Sequence, residues 1–226
     1  AYACFHPVYR GHYGMTPDEP AAHHPPIFCS QSTHKLLTAF SQASMLHIRN
    51  GGRVKVEHDE FNESYMMHGS TSPQYNMIAS LDVATRMMED NGEVMMNDII
   101  LEAVQLRKKV AAIEKELKKK NKQDWFFGLW QPRKVSVGGK TGPFEEASDS
   151  FLAGNQSPWV FTKRDDWHGF EEMEDDYAML DPIKLTFTTP GIDARGKMSE
   201  EGIPASVVTN YLIDKGIVCE KTDYYS

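Results

Sequence analysis

The segment Glu93–Lys120 constrains this chain more than any other. Ile99, Ile100, Ala103, Leu106, Val110, Ile113 and Leu117 recur at helical spacing, and the rest of the stretch is largely charged. Such a helix is roughly 40 Å long at 1.5 Å of rise per residue, so it must join or span whatever packs along it. The stripe therefore predicts a long amphipathic helix linking two domains, with the boundary at about residues 118–124. Lys118-Lys119-Lys120-Asn121-Lys122 closes it; basic residues there complement the helix dipole and read as a solvated end.

Upstream, Met77, Ile78, Leu81, Ala84, Met87 and Met88 predict a separate helix. The hydroxyls of Ser70-Thr71-Ser72 before Pro73 suit its N-cap, and they could equally donate to a phosphate. Phe61-Asn62-Glu63-Ser64-Tyr65-Met66-Met67-His68 reads as core packing, the usual use of methionines and aromatics at this spacing. Pro26–Gln31 predicts a short buried strand that ends at the Ser32–Lys35 turn. Ser44–Arg49 alternates polar and apolar residues and predicts a second strand, with His47 partly buried on it, before the turn at Gly51-Gly52. Residues 1–25 read as loop, with Tyr2, Phe5, Tyr9 and Tyr13 clustered; His23-His24 before two prolines converges poorly on one ion, so no metal site is expected.

The second half changes character. Trp125-Phe126-Phe127, Trp130-Gln131-Pro132 and Val135–Val137 predict the first strands of a small mixed domain. Gly138-Gly139-Lys140-Thr141-Gly142 lacks the Gly-x-x-x-x-Gly-Lys-Ser/Thr spacing of a phosphate loop and predicts a hairpin turn. Ser157–Thr162 and Ile183–Thr188 read as strands, Ile203–Lys215 as a helix stopped by Gly216, and Ile217–Glu220 as a last strand. The acidic segment 165–181 is either a solvated loop or a set of carboxylates beside aromatics that would recognise a cationic substrate tail.

A net charge of −8 argues against a general nucleic-acid binder, and no apolar run approaches membrane-spanning length. Cys4, Cys29 and Cys219 are odd in number and widely spaced, fitting neither a zinc site nor a disulfide framework; a reducing cytoplasm is the expectation.

Lys35 draws the chemistry together. It stands behind Ser32, Thr33 and His34, just after the apolar run. A lysine so placed is either an ordinary helix-start residue with Ser32 or Thr33 as cap, or an amine turned into a pocket as a nucleophile. Ser-Thr-His-Lys-Leu-Leu (32–37) followed by Phe-Ser-Gln-Ala-Ser-Met (40–45) resembles the cofactor-lysine segment of the bacterial arginine/lysine/ornithine decarboxylases, which use pyridoxal phosphate (PLP). Phe5-His6-Pro7 with Tyr13-Gly14-Met15, Phe61–His68 with Thr71-Ser72-Pro73, Trp167-His168-Gly169-Phe170, Leu180–Lys184, Thr189-Pro190-Gly191 and Gly202–Ser206 resemble the same family in the same order, from Phe5 to Thr222.

The resemblance implies an α/β chain: residues 1–120 as the C-terminal portion of a PLP-binding, aminotransferase-like large domain, and 121–226 as part of a smaller α+β C-terminal domain. It implies Lys35 as the cofactor tether and Ser32, His34, Thr71 and Ser72 around the cofactor, the last two in this pocket or a neighbouring subunit's. His34 would position the cofactor or assist proton transfer. Trp167, Asp176 and Asp181 would recognise the substrate. The activity implied is decarboxylation of a basic amino acid, arginine favoured, with uptake of a proton, which suits acid resistance and polyamine formation. A homodimer assembling further is implied as well. The family's ring-pairing aspartate and ring-stacking aromatic are expected upstream of Ala1, so the chain alone is expected to be inactive. The alternative is an inactive homologue that serves as a regulatory or assembly partner.

Overall fold

A computed structural model describes residues 26–36, 38–50, 52–121, 126–170, 175, 178–193 and 195–223. The chain mixes helix and strand in two compact units, residues 1–95 and 96–226.

In the first unit, β1 (Ile27–Gln31) and β2 (Met45–Arg49) pair antiparallel, with Ser30 opposite Leu46 and Gln31 opposite Met45. Both strands fall where the apolar run and the alternation put them, but β1 is not the buried strand expected: Phe28 is 52 % exposed and Ser30 is exposed as well. His47 Nε2 meets Gln31 Oε1 at 3.1 Å, a side-chain bond that ties the two strands near the exit of β1. A single turn of helix, α1 (Thr33–Leu36), follows β1 after Ser32.

α2 (His58–His68) is the Phe61–His68 segment, and it corrects the core reading: none of its residues is buried, and Met67 is 76 % exposed. Its aromatics instead form a ladder with β1, Phe28 on Phe61 at 6.1 Å and Phe61 on Tyr65 at 6.0 Å. The spacing that places a core residue also places an exposed one; only a covering surface distinguishes them.

α3 (Tyr75–Asn121) runs unbroken for 47 residues, where two helices were expected. Asn91-Gly92 does not interrupt it. A glycine inside a helix costs only about 1 kcal/mol, which packing along so long an element outweighs. Ser70 does not cap this helix: its Oγ accepts the N–H of Ser72 and folds the loop on itself, while Met77 and Ile78 donate to the Gln74 carbonyl.

In the second unit, Ile100, Ala103, Val104, Arg107 and Glu114 of α3 are buried. β3 (Gly128–Leu129) pairs with β6 (Phe187–Thr188). β4 (Lys134–Val137) and β5 (Lys140–Pro143) form the expected hairpin, its turn made by Gly138 and Gly139 at φ +57° and +81°, the left-handed pair that such a turn demands. A 3-10 turn (Phe144–Glu146) and α4 (Asp149–Gly154) follow, α4 capped by Ser148, whose Oγ accepts from Phe151 N–H. Phe144, Leu152 and Trp159 are buried, with Phe144 edge-on to Trp159.

Three expected strands are reduced or absent. Ser157–Thr162 keeps only the bridge Val160–Met179: Pro158 has no N–H to give, Trp159 N–H turns back to Gln156 O, and Thr162 N–H goes to Asp165 Oδ2. Ile183–Thr188 shortens to β6, because the Asp181–Lys184 turn and the Arg107 guanidinium take its first backbone groups. Ile217–Glu220 forms no strand; Thr209–Thr222 and Lys184–Glu220 side-chain contacts hold that segment. The helix before it, α5 (Ala205–Asp214), ends as expected at Gly216 (φ +80°), with Ile217 N–H on Leu212 O and Gly216 N–H on Ile213 O.

Candidate functional site

The Ser32–Lys35 turn at the exit of β1 is the candidate site. Chain direction reverses there: Lys35 N–H donates to Ser32 O at 3.1 Å, closing the turn that becomes α1. Ser32 and Lys35 are exposed and His34 is half-buried. Between them Thr33 is fully buried, and its Oγ1 finds no hydrogen-bond partner among the described residues. A buried hydroxyl without a partner is uncommon, since the desolvation it suffers normally demands a bond in return.

The loop after the lysine is held by α3. Ser80, buried on that helix, accepts Phe40 N–H at 3.2 Å while its own hydroxyl donates to Met77 O at 2.8 Å. Thr38 Oγ1 approaches Met87 Sδ at 3.4 Å. Phe40 to Ala43 then forms a turn, Ala43 N–H on Phe40 O, and the Ala43 carbonyl meets His34 Nδ1 at 2.9 Å. The lysine turn is thus fixed at β1 by its own backbone bond and at His34 by the loop that follows.

Of the other expected residues, Thr71 and Ser72 are exposed in the loop before α3, and no hydrogen bond among the described residues joins either to the Ser32–Lys35 turn. Asp176 lies outside the described residues, as do Phe5-His6-Pro7, Tyr13-Gly14-Met15 and the His23-His24 pair. Trp167 is buried in an aromatic cluster, 5.3 Å from Trp130 and 5.2 Å from Phe161. His168, stacked on Phe161, donates from Nε2 to Thr162 O and accepts Phe170 N–H at Nδ1, so its neutral ring is held in one tautomer. Asp181 turns its chain, accepting Ile183 N–H.

Sequence reading weighed Thr33 only as a helix cap and passed over Ser80 and the Phe40–Ala43 turn, which hold the lysine segment. It also passed over Arg107. That guanidinium is fully buried on α3 and donates to Pro182 O, Gln131 Oε1 and Lys184 O, while lying 5.4 Å above the Trp159 ring. Burial pushes its pKa down to about 10, against the opposing pull of Asp181, and it stays charged at neutral pH. A signal was present: Arg107 interrupts the apolar stripe at helical spacing from Ile100 and Val104, where a solvated charge does not belong.

The family model described as Orn/Lys/Arg decarboxylase, major domain, matches residues 1–226. This chain belongs to that family. The lysine decarboxylase LdcA of Pseudomonas aeruginosa is 45 % identical over the whole chain, and the biodegradative arginine decarboxylase of Escherichia coli is 42 % identical over 98 % of it. The solved structure of lysine decarboxylase A from Pseudomonas aeruginosa superposes with a TM-score of 0.82 at 45 % identity, covering 100 % of this chain. The chain spans 28 % of the first of these relatives and 29 % of the second, and 28 % of the solved chain. Decarboxylases of this family depend on PLP. The donors at the β1 exit suit that group: an exposed amine for a covalent tether, hydroxyls at Ser32 and the unpartnered Thr33, and an imidazole beside them.

Proposed function

We propose that this chain carries the cofactor-lysine segment of a PLP-dependent decarboxylase acting on a basic amino acid. The observation that carries this reading is Lys35, exposed in a backbone-closed turn at the end of β1, within a chain matched along its whole length by the decarboxylase family model. When bound, PLP supplies an electron-withdrawing ring that stabilises the charge left on Cα when CO2 departs. Lys35 supplies the amine that tethers the cofactor and receives it back after turnover. Ser32 is the nearest hydroxyl for its phosphate, and Thr71 and Ser72 are further donors, which a neighbouring subunit's pocket would use. His34 orients the bound group or holds a proton beside it. A proton is delivered to Cα where CO2 leaves, so each turnover removes one from the medium, a consumption that suits acid resistance.

Residues 1–120 serve in this reading as the C-terminal portion of the cofactor domain and 121–226 as part of the α+β domain that follows, in a cytoplasmic homo-oligomer. Trp167, Asp176 and Asp181 are assigned to the substrate's cationic end, though Trp167 and Asp181 also have packing and turn-forming contacts of their own. Arginine is the favoured substrate within the class of arginine, lysine and ornithine.

The test is Lys35→Ala in the full-length protein that contains this chain, offered all three amino acids with amine products measured. The wild type should release CO2 from one or more of them and show the absorbance of a lysine-bound cofactor. The variant should lose that absorbance and about a thousandfold or more of the rate. Unchanged turnover in the variant defeats the assignment, and absence of any amine product from the wild type favours an inactive partner protein.

A further inference from the structure

Gln42 is the one non-glycine among the described residues with a left-handed backbone, at φ +75°. Side chains with a Cβ rarely adopt that conformation, and where they do the surrounding structure must enforce it. Here the enforcement is visible on both sides. Ser80 fixes Phe40 N–H to α3, Phe40 O receives Ala43 N–H, and Ala43 is buried. The reversal at Gln42 aims the Ala43 carbonyl back at His34 Nδ1, 2.9 Å away.

A carbonyl oxygen has no proton to give, so the nitrogen facing it must carry one. That decides the ring. His34 holds its proton on Nδ1, and Nε2, which meets no partner among the described residues, is the nitrogen left to accept a hydrogen bond or take up a second proton. His34 immediately precedes Lys35 in α1, so the loop that holds the imidazole also holds the backbone that carries the lysine.

We propose that Gln42 is a positioning residue: its left-handed turn sets His34 as the Nδ1–H tautomer and leaves Nε2 as the ring nitrogen able to accept a hydrogen bond or a proton. The reading rests on the assignment of Lys35 as the cofactor tether, yet the tautomer itself exists with or without the cofactor. That separation allows the two ideas to fail independently.

The experiment is 15N solid-state NMR of the full-length protein labelled at histidine, with His34 assigned by subtraction against His34→Gln. In cofactor-free protein, His34 should show a protonated, hydrogen-bonded Nδ1 and a bare Nε2. A protonated Nε2 with bare Nδ1 overturns the proposal without any variant being made. Gln42→Gly and Gln42→Asn, which tolerate the left-handed backbone, should keep this pattern and hold PLP affinity within about twofold. Gln42→Val, a stiff β-branched residue, should mix the tautomers and weaken PLP binding by roughly tenfold. If Gln42→Val leaves both unchanged, or Gln42→Gly disturbs them as much, the turn is not the positioning device. A wild type with the expected tautomer but no PLP on Lys35 would remove the cofactor assignment and leave the tautomer standing.

Discussion

The two units of this chain differ in how much of their apolar surface they cover for themselves. In the second unit Trp159, Phe144 and Leu152 are sealed, the aromatic cluster around Phe161 is closed by Trp130, Trp167 and His168, and ion pairs stitch α3 to the hairpin region. Lys115 meets Glu145, Lys108 meets Asp149, and the buried Glu114 takes both Arg133 and Lys118. In the first unit α2 buries nothing, and Tyr75 and Met67 stand more than three-quarters exposed. Lys35, the proposed cofactor lysine, lies in the unit whose described residues bury less apolar surface. A site that must admit cofactor and substrate needs surfaces from several segments, whereas a supporting layer can be finished locally.

The comparison breaks most directly at Arg107. Arg107→Met should destabilise the second unit by about 3–5 kcal/mol, because two buried acceptors and one part-buried acceptor lose their donor at once. Arg107→Lys should recover little, since an ammonium cannot reproduce the fork geometry. Denaturant melts of the full-length protein would read this, and a loss below about 1 kcal/mol would mean the staple is decorative.

Next in size, Leu152→Ala should cost about 2–5 kcal/mol by opening a cavity, while Met67→Ser on α2 should change stability by less than about 0.5 kcal/mol if α2 is as open in the whole protein as it is here. A Met67→Ser cost approaching that of Leu152→Ala would show that α2 is covered by residues beyond those described, and would erase the contrast between the units.

The smallest expected effect is at Glu145→Gln. Burial alone would raise the Glu145 pKa; the hydrogen bond from Lys115 overrides it and holds the carboxyl below its ordinary value. The Lys115 pKa is raised, chiefly by the hydrogen bond to Glu145. Glu145 therefore stabilises above the ordinary carboxylate pKa and loses that contribution as pH falls through its lowered value; Lys115 loses its own only as pH rises through its raised one. The variant should melt slightly lower at pH 7 and together with wild type in acid, and the pH 7 difference should shrink with added salt.

The sequence made local structure legible where local physics decides it. Alternation located β2, paired glycines located the 138–139 turn, and Gly216 located the end of α5. It failed where side chains take the backbone's bonds: Arg107 claims the carbonyls of 182 and 184, and the Asp165 carboxylate claims Thr162 N–H, so apolar runs that read as strands stay irregular. At the candidate site, Ser32, His34 and Lys35 were visible as residue types in a telling order. The Gln42 turn was not, because nothing in Ser-Gln-Ala announces a left-handed residue.

Arg107 has one more consequence. Two of its three acceptors are main-chain carbonyls, at Pro182 and Lys184, which no codon change can remove. Substituting Gln131 could relieve only the third. The position should therefore be epistatically locked, with no single second-site substitution restoring stability once the guanidinium is lost.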